Sequence, residues 1–84
     1  MSAVIKYPLA TEKSIRLMEA QNTLIFVVAE KATKPQIKKA VEERFDAKVE
    51  DVRTLHGPDN KKRAYITFNE ATPAIDIATK LGLM

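Results

Sequence analysis

Apolar residues are spaced in two ways along the chain, and the two spacings predict its elements. Residues 23–29 (TLIFVVA) are apolar at odd and even positions alike, as expected of a strand covered on both faces and therefore central in a sheet. Residues 62–69 (KRAYITFN) alternate instead. Ala64, Ile66 and Phe68 fall on one side of a strand there, and Arg63, Tyr65 and Thr67 on the other. Residues 48–56 (KVEDVRTLH) form a strand before it, and Gly57-Pro58-Asp59-Asn60 is a turn cluster joining the two into a hairpin. Residues 3–7 (AVIKY) are short and β-prone, and Pro8 ends that strand or confines it to a sheet edge.

Between these runs the period changes to that of a helix. Ile37, Ala40, Val41 and Phe45 recur at i, i+3, i+4 and i+8, the clearest core-facing stripe in the chain. Thr33 is its N-cap, and Pro35 suits its first turn. An earlier helix is predicted from Thr11 as N-cap to about residue 20. Ile15 and Met18 share one of its faces, Leu17 lies beside them, and Glu12 in its first turn suits the helix dipole. Asn22-Thr23 then turns the chain. A last helix starts at Thr72-Pro73, which repeats the threonine-cap-plus-proline start, carries Ala74, Ile77, Ala78 and Leu81 on its buried side, and stops at Gly82. The order is βαβαββα, an α/β (α+β) chain with four strands in one sheet and helices packed on it. Residues 1–84 are expected to form a single domain.

Composition narrows the function by exclusion. There is no cysteine, so neither a disulfide nor a thiolate metal site can form. The longest apolar run, residues 24–29, is far short of the roughly 20 residues of a membrane span. The first residues, MSAVIKYP, lack the apolar core of a signal peptide. A soluble, cytoplasmic protein without membrane insertion is expected. The one histidine, His56, has no partner with which to hold a metal, and no GxGxxG, GxxxxGK[ST] or GxSxG motif occurs. No cofactor, small-molecule substrate or catalysis is expected.

Charge supplies the positive signal. The net charge is +3, from fourteen Lys and Arg against eleven Asp and Glu, and the cations lie at element boundaries. Lys6 and Lys13 flank the first turn, Lys31 and Lys34 flank the start of the second helix, and Lys61, Lys62 and Arg63 follow the hairpin turn. Arg53 lies on the partner strand of the hairpin. The anions gather in residues 42–51 and 69–76. Such segregation suits a polyanion on one face. Tyr65 beside arginines can stack on a base while the arginines neutralise phosphates. The alternative for that strand face is burial of Tyr65 under a helix, and the sequence leaves both open.

Several stretches together carry a family likeness. They are YPLATEKS (residues 7–14), NTLIFVV (22–28), ATKPQIKKAVE (32–42), VEDVRTL (49–55) and KRAYI (62–66), with LGLM at 81–84. In this order and spacing the chain resembles the universal ribosomal large-subunit protein L twenty-three family in its archaeal form. The resemblance implies a four-stranded antiparallel sheet with helices and no enzymatic activity. It implies binding to large-subunit rRNA at the exit of the polypeptide tunnel, ribosomal protein L twenty-nine as neighbour, and docking of nascent-chain factors such as the signal recognition particle. By position it puts Glu12, Arg16, Phe45 and Asp46 in the factor-docking patches. It puts Lys13, Lys34, Lys38, Lys62, Arg63 and Tyr65 in the rRNA-facing segments, to which the boundary cations Lys6, Lys31, Arg53 and Lys61 add. The chain departs from the bacterial form, whose long basic hairpin reaches into the tunnel; here only about residues 56–61 separate the strands.

Two other classes are the alternatives. A ferredoxin-like regulatory or interaction domain needs a pocket of convergent polar groups for a small ligand or a protein. A small acyl-transfer or phosphate-ester enzyme needs a catalytic constellation, which is not visible in the sequence.

Overall fold

In a computed structural model of the chain, residues 4–57 and 60–82 are described. The predicted Ala3, the turn residues Pro58 and Asp59, and the Leu83-Met84 end lie outside them. The elements are β1 (Ile5–Pro8), α1 (Glu12–Gln21), β2 (Thr23–Val28), α2 (Lys34–Phe45), β3 (Val49–His56), β4 (Lys62–Phe68) and α3 (Ala74–Lys80). The strands form one antiparallel sheet in the order β1-β2-β4-β3. Every residue of β2 is buried, as its unbroken apolar run requires. β1 takes the edge, where Pro8 has no ladder bond to donate. Gly57 N–H donates to Lys61 O at 2.9 Å and closes the β3–β4 hairpin.

One face of the sheet carries the core. Leu24, Phe26 and Val28 of β2, Ala64, Ile66 and Phe68 of β4, and Val49 and Val52 of β3 join Met18, Ile37, Val41, Ala74, Ile77 and Ala78 from the helices in one cluster. Ile37 and Val41 are fully buried, but Phe45, expected at the same depth, is only half-buried. It stacks on Phe26 with ring centroids 5.9 Å apart. On α1 the buried residues are Ser14 and Met18, while Ile15 is exposed. The reason is the cap. Ser14 turns its hydroxyl inward to accept from Thr11 N–H and donate to Thr11 O, both at 2.8 Å, so Ser14 and Met18 define the inner face.

Thr11 and Thr33 both form capping boxes, with Ser14 and Gln36 as the reciprocal partners. Glu42, an acid near the end of α2 where the dipole disfavours it, accepts from Val49 N–H at 3.1 Å and ties the helix to the start of β3.

The third predicted cap is a correction. Thr72 does not cap α3; its hydroxyl accepts from Lys48 N–H at 3.3 Å. The first N–H of α3, on Ala74, is taken at 2.6 Å by Asn22 Oδ1, 52 positions earlier in the chain. Asn22 Nδ2 lies 3.1 Å from both Phe68 O and Thr72 O and 3.3 Å from Asn69 O, and Asn22 O accepts from Phe68 N–H at 3.0 Å. Asn22 also ends α1 in the left-handed region, at φ 52°, a conformation asparagine tolerates better than other side-chain-bearing residues.

Asn22→Gly keeps that backbone conformation and deletes the amide. It should lower the unfolding free energy by about 2 kcal/mol in a urea titration. Asn22→Ala should lose about 1 kcal/mol more, because alanine resists the left-handed region. A glycine variant with native stability would leave this clasp without an energetic role.

Candidate nucleic-acid interface

Strand register sorts the candidate cations by position. Ile5 pairs with Val28, Val28 with Lys62, and Lys62 with His56, so one row crosses the whole sheet at one end. Lys6 follows Ile5 along β1, Lys61 precedes β4, and Lys62 and Arg63 begin β4 there. Lys31 lies in the loop leaving β2, and Lys34 opens α2. Lys38 is one helical turn further on. Lys6, Lys31, Lys34, Lys38 and Lys61 are all exposed. Lys13 is the exception. It belongs to α1, which follows the strand after Leu9 N–H bonds Ile25 O at 2.9 Å and leads back to the start of β2.

The opposite end of the sheet is acidic. It holds the starts of β2 and β3 and the end of β4, where Thr23 pairs with Thr67 and Thr67 with Asp51. Glu42, Glu43 and Asp46 at the end of α2, Glu50 and Asp51 on β3, and Glu70 after β4 lie toward it, outnumbering the cations Arg44 and Lys48 there. The first turn of α2 has Lys34 and no acid. A cation at that point opposes the helix dipole at a cost of about 0.3–1 kcal/mol, so its placement is not explained by helix stability.

The face of the sheet turned away from the helices is the second part of the site. Its rows are Asp51–Thr67–Thr23, Arg53–Tyr65–Ile25 and Leu55–Arg63–Val27, and Tyr7 extends the last row across β1. Arg63, Tyr65 and Thr67 are half-buried, Arg53 and Leu55 are exposed, and no helix covers Tyr65 completely. Tyr7, which the sequence pattern did not single out, stands on this face. Its hydroxyl accepts from Lys61 Nζ at 3.1 Å, and that ammonium is 5.7 Å from the ring centroid, a cation–π contact. A notch of about 170 Å³ opens at the acidic end of the face between Leu17, Gln21, Thr23, Asp51, Arg53, Tyr65 and Thr67.

Lys62 departs from its neighbours in the cationic run. Alternation turns it away from Arg63, and its ammonium donates to Ala32 O at 2.7 Å and Glu30 O at 3.4 Å. It anchors the loop between β2 and α2, and Arg63 joins the open face.

The factor-docking candidates fall in two places. Glu12 Oε1 and Arg16 Nη2 form an ion pair at 2.9 Å along the solvent side of α1. Phe45 ends α2 with the Arg44 guanidinium 5.7 Å from its ring centroid, and exposed Asp46 is the left-handed C-cap. Among the described residues no group of His, Cys, Asp and Glu is arranged to hold a metal, and no helix is long and apolar enough to cross a membrane.

With this geometry in place, comparison with known proteins decides the family. The family model described as Ribosomal protein L23 matches residues 3–76. The chain belongs to the ribosomal protein L23 family. It is 44% identical over 80 residues to the large ribosomal subunit protein uL23 of Methanococcus aeolicus, covering 95% of this chain and 93% of that protein. It is 45% identical over 80 residues to the uL23 of a Methanococcus maripaludis strain, with the same coverage. The uL23 of Trypanosoma brucei brucei is 42% identical over 81 residues, which are 96% of this chain and 49% of that longer protein. The family is one of ribosomal structural components and not of enzymes, and the archaeal relatives agree with the form that the sequence motifs resemble.

Lys62→Met keeps the aliphatic stem and removes the ammonium from the loop carbonyls. It should cost about 1 kcal/mol and lower the thermal midpoint by about 4–8 °C. A midpoint equal to that of the native chain would return Lys62 to the same class as its exposed neighbours.

Proposed function

We propose that the chain is a structural protein of the large ribosomal subunit, bound in the cytoplasm to rRNA at the polypeptide tunnel exit as a single rRNA-binding domain. The observation that carries the reading is the gathering of Lys6, Lys31, Lys34, Lys61 and Arg63 at one end of the sheet. An end-to-end charge separation of this kind turns one pole toward a polyanion and leaves the acidic pole outward. Family membership supports rRNA as that polyanion. Lys38, Arg53 and Tyr65 extend the RNA surface onto the helix flank and the open sheet face. Lys13 contributes from the first turn of α1. Lys62 acts chiefly by holding the loop that presents Lys31 and Lys34.

The same reading puts ribosomal protein L twenty-nine beside the chain and makes it a docking point for the signal recognition particle. Glu12 with Arg16, and Phe45 with Asp46, are the residues proposed for that contact. Their support is position in the family-like segments together with exposure of Glu12, Arg16 and Asp46. An exposed i,i+4 ion pair is worth only about 0.3–0.5 kcal/mol to the helix, so stability gives little reason for the Glu12–Arg16 pair.

Two measurements test these assignments. Lys31→Ala with Lys34→Ala should weaken binding to large-subunit rRNA fragments. The log–log salt dependence should flatten by about one unit for each phosphate no longer neutralised. Removing Lys34 relieves the helix dipole, so the fold should not suffer. Unchanged affinity and slope would take the cationic end away from the RNA. Glu12→Gln, measured on intact subunits at low salt, should reduce affinity for the signal recognition particle about tenfold. The deficit should shrink as salt rises, and equal affinities of mutant and native subunits would remove Glu12 from the docking site.

A further inference from the structure

Among the described residues the large apolar side chains left exposed are Tyr7, Ile15, Leu55 and Ile75. Scattered singly, such residues need no explanation. Two of them are not scattered. Tyr7 pairs with Val27, Val27 with Arg63 and Arg63 with Leu55, so Tyr7 and Leu55 are the two ends of one ladder row on the open face. Three strand spacings separate them, about 14 Å in all. The row is next to the one that crosses the sheet from Ile5 to His56 at the cationic end.

A cation holds the tyrosine in place. Lys61, just before β4, reaches past β2 to β1, and its ammonium donates to the Tyr7 hydroxyl at 3.1 Å. That bond ties the charge to the hydroxyl end of the ring and restrains the ring itself, and Tyr7 still remains exposed. An ordered aromatic surface with a positive charge at its rim is the result.

Charge selects the ligand. Arg63 stands within the row, and Asp51, the one acid in the three rows of the open face, lies at the other end of that face. Glu30, in the loop leaving β2, is outnumbered at this end by Lys6, Lys31, Lys34, Lys61 and Arg63. A nucleotide has an aromatic face for a ring and, one sugar away, a phosphate for a cation beyond the edge of that ring. Tyr7 and Lys61 offer the two in that arrangement. Bases inside a helix are stacked on one another and cannot reach a side chain, so the nucleotide must be unpaired. Stacking accepts any base, and nothing in the row selects among the four.

We infer that Tyr7 is a stacking platform for one unpaired base of the bound RNA, with the Lys61 charge beside the phosphate of that nucleotide. The inference rests on the reading that the chain binds rRNA, and adds a contact that does not depend on salt to one that does.

The test uses the intact chain and large-subunit rRNA fragments, with affinity measured over a range of salt concentrations. Tyr7→Leu keeps a large apolar side chain beside Val27 and removes the ring. It should weaken binding about tenfold at every salt concentration and leave the log–log slope unchanged, because no phosphate contact is lost. Tyr7→Phe keeps the ring and should keep most of the affinity. Lys61→Met should flatten the slope by about one unit. A further measurement needs no substitution: ultraviolet irradiation of the native complex should join a base to Tyr7, read by mass spectrometry as a nucleotide on the peptide that contains it. Native affinity in Tyr7→Leu overturns the platform. So do equal losses in Tyr7→Leu and Tyr7→Phe, or crosslinks confined to other residues. An unchanged slope in Lys61→Met overturns the pairing of ring and cation. In each of these cases salt-dependent binding by the native chain leaves the wider reading standing, whereas loss of that binding overturns the wider reading and this one with it.

Discussion

Asn22 is the residue through which the ends of the fold are joined. Its side chain reaches carbonyls after β4 and the first N–H of α3, and its own backbone ends α1 and begins β2. Few residues can do both. The turn needs positive φ, and the loop after β4 needs a donor and an acceptor on one short planar group. Glycine meets the first need only, and aspartate cannot donate. α3 begins with Pro73 in the N-cap position and has no side-chain cap of its own, so its start depends on a residue about fifty positions earlier in the chain.

That dependence explains what the sequence could and could not announce. The central position of β2, the stripe on α2, the caps Thr11 and Thr33 and the alternation of β4 are local patterns, and all are legible in a few residues. The error at Thr72 has the opposite cause. A threonine before a proline looks like a cap, but the competing partner, Lys48 N–H, belongs to another element. Ile15 fails for a similar reason. Its spacing with Met18 is helical, yet the inward turn of Ser14 in the capping box rotates the buried face away from it. The strand order, the share of the core taken by Phe45 and the collection of cations at one end all require long-range pairing to be known.

The candidate site shows the same division. Tyr65, Arg63 and Arg53 share a face by simple alternation and one hairpin pairing, so they were legible. Tyr7 was not, because its row is reached only through the register of β1 on β2, with an irregularity between Ile5 and Tyr7. Lys61, Lys62 and Arg63 look like one cationic cluster in the sequence. On a strand, neighbours face opposite ways, so the cluster divides into a loop anchor and a surface charge. Ile25 and Val27 are buried although they stand on the open face. Tyr65 and Arg63 beside them in the ladder supply broad side chains that cover apolar neighbours while keeping polar tips in water.

The strand order also bears on how the chain is made. β2 lies between β1, which precedes it, and β4, which comes more than thirty residues later. During synthesis the most apolar strand therefore emerges with one backbone edge unpaired, and it stays so until residues 62–68 have followed it. An exposed apolar edge invites pairing with other chains. A chain halted between α2 and β4 would be an aggregation hazard even though most of its residues had been made.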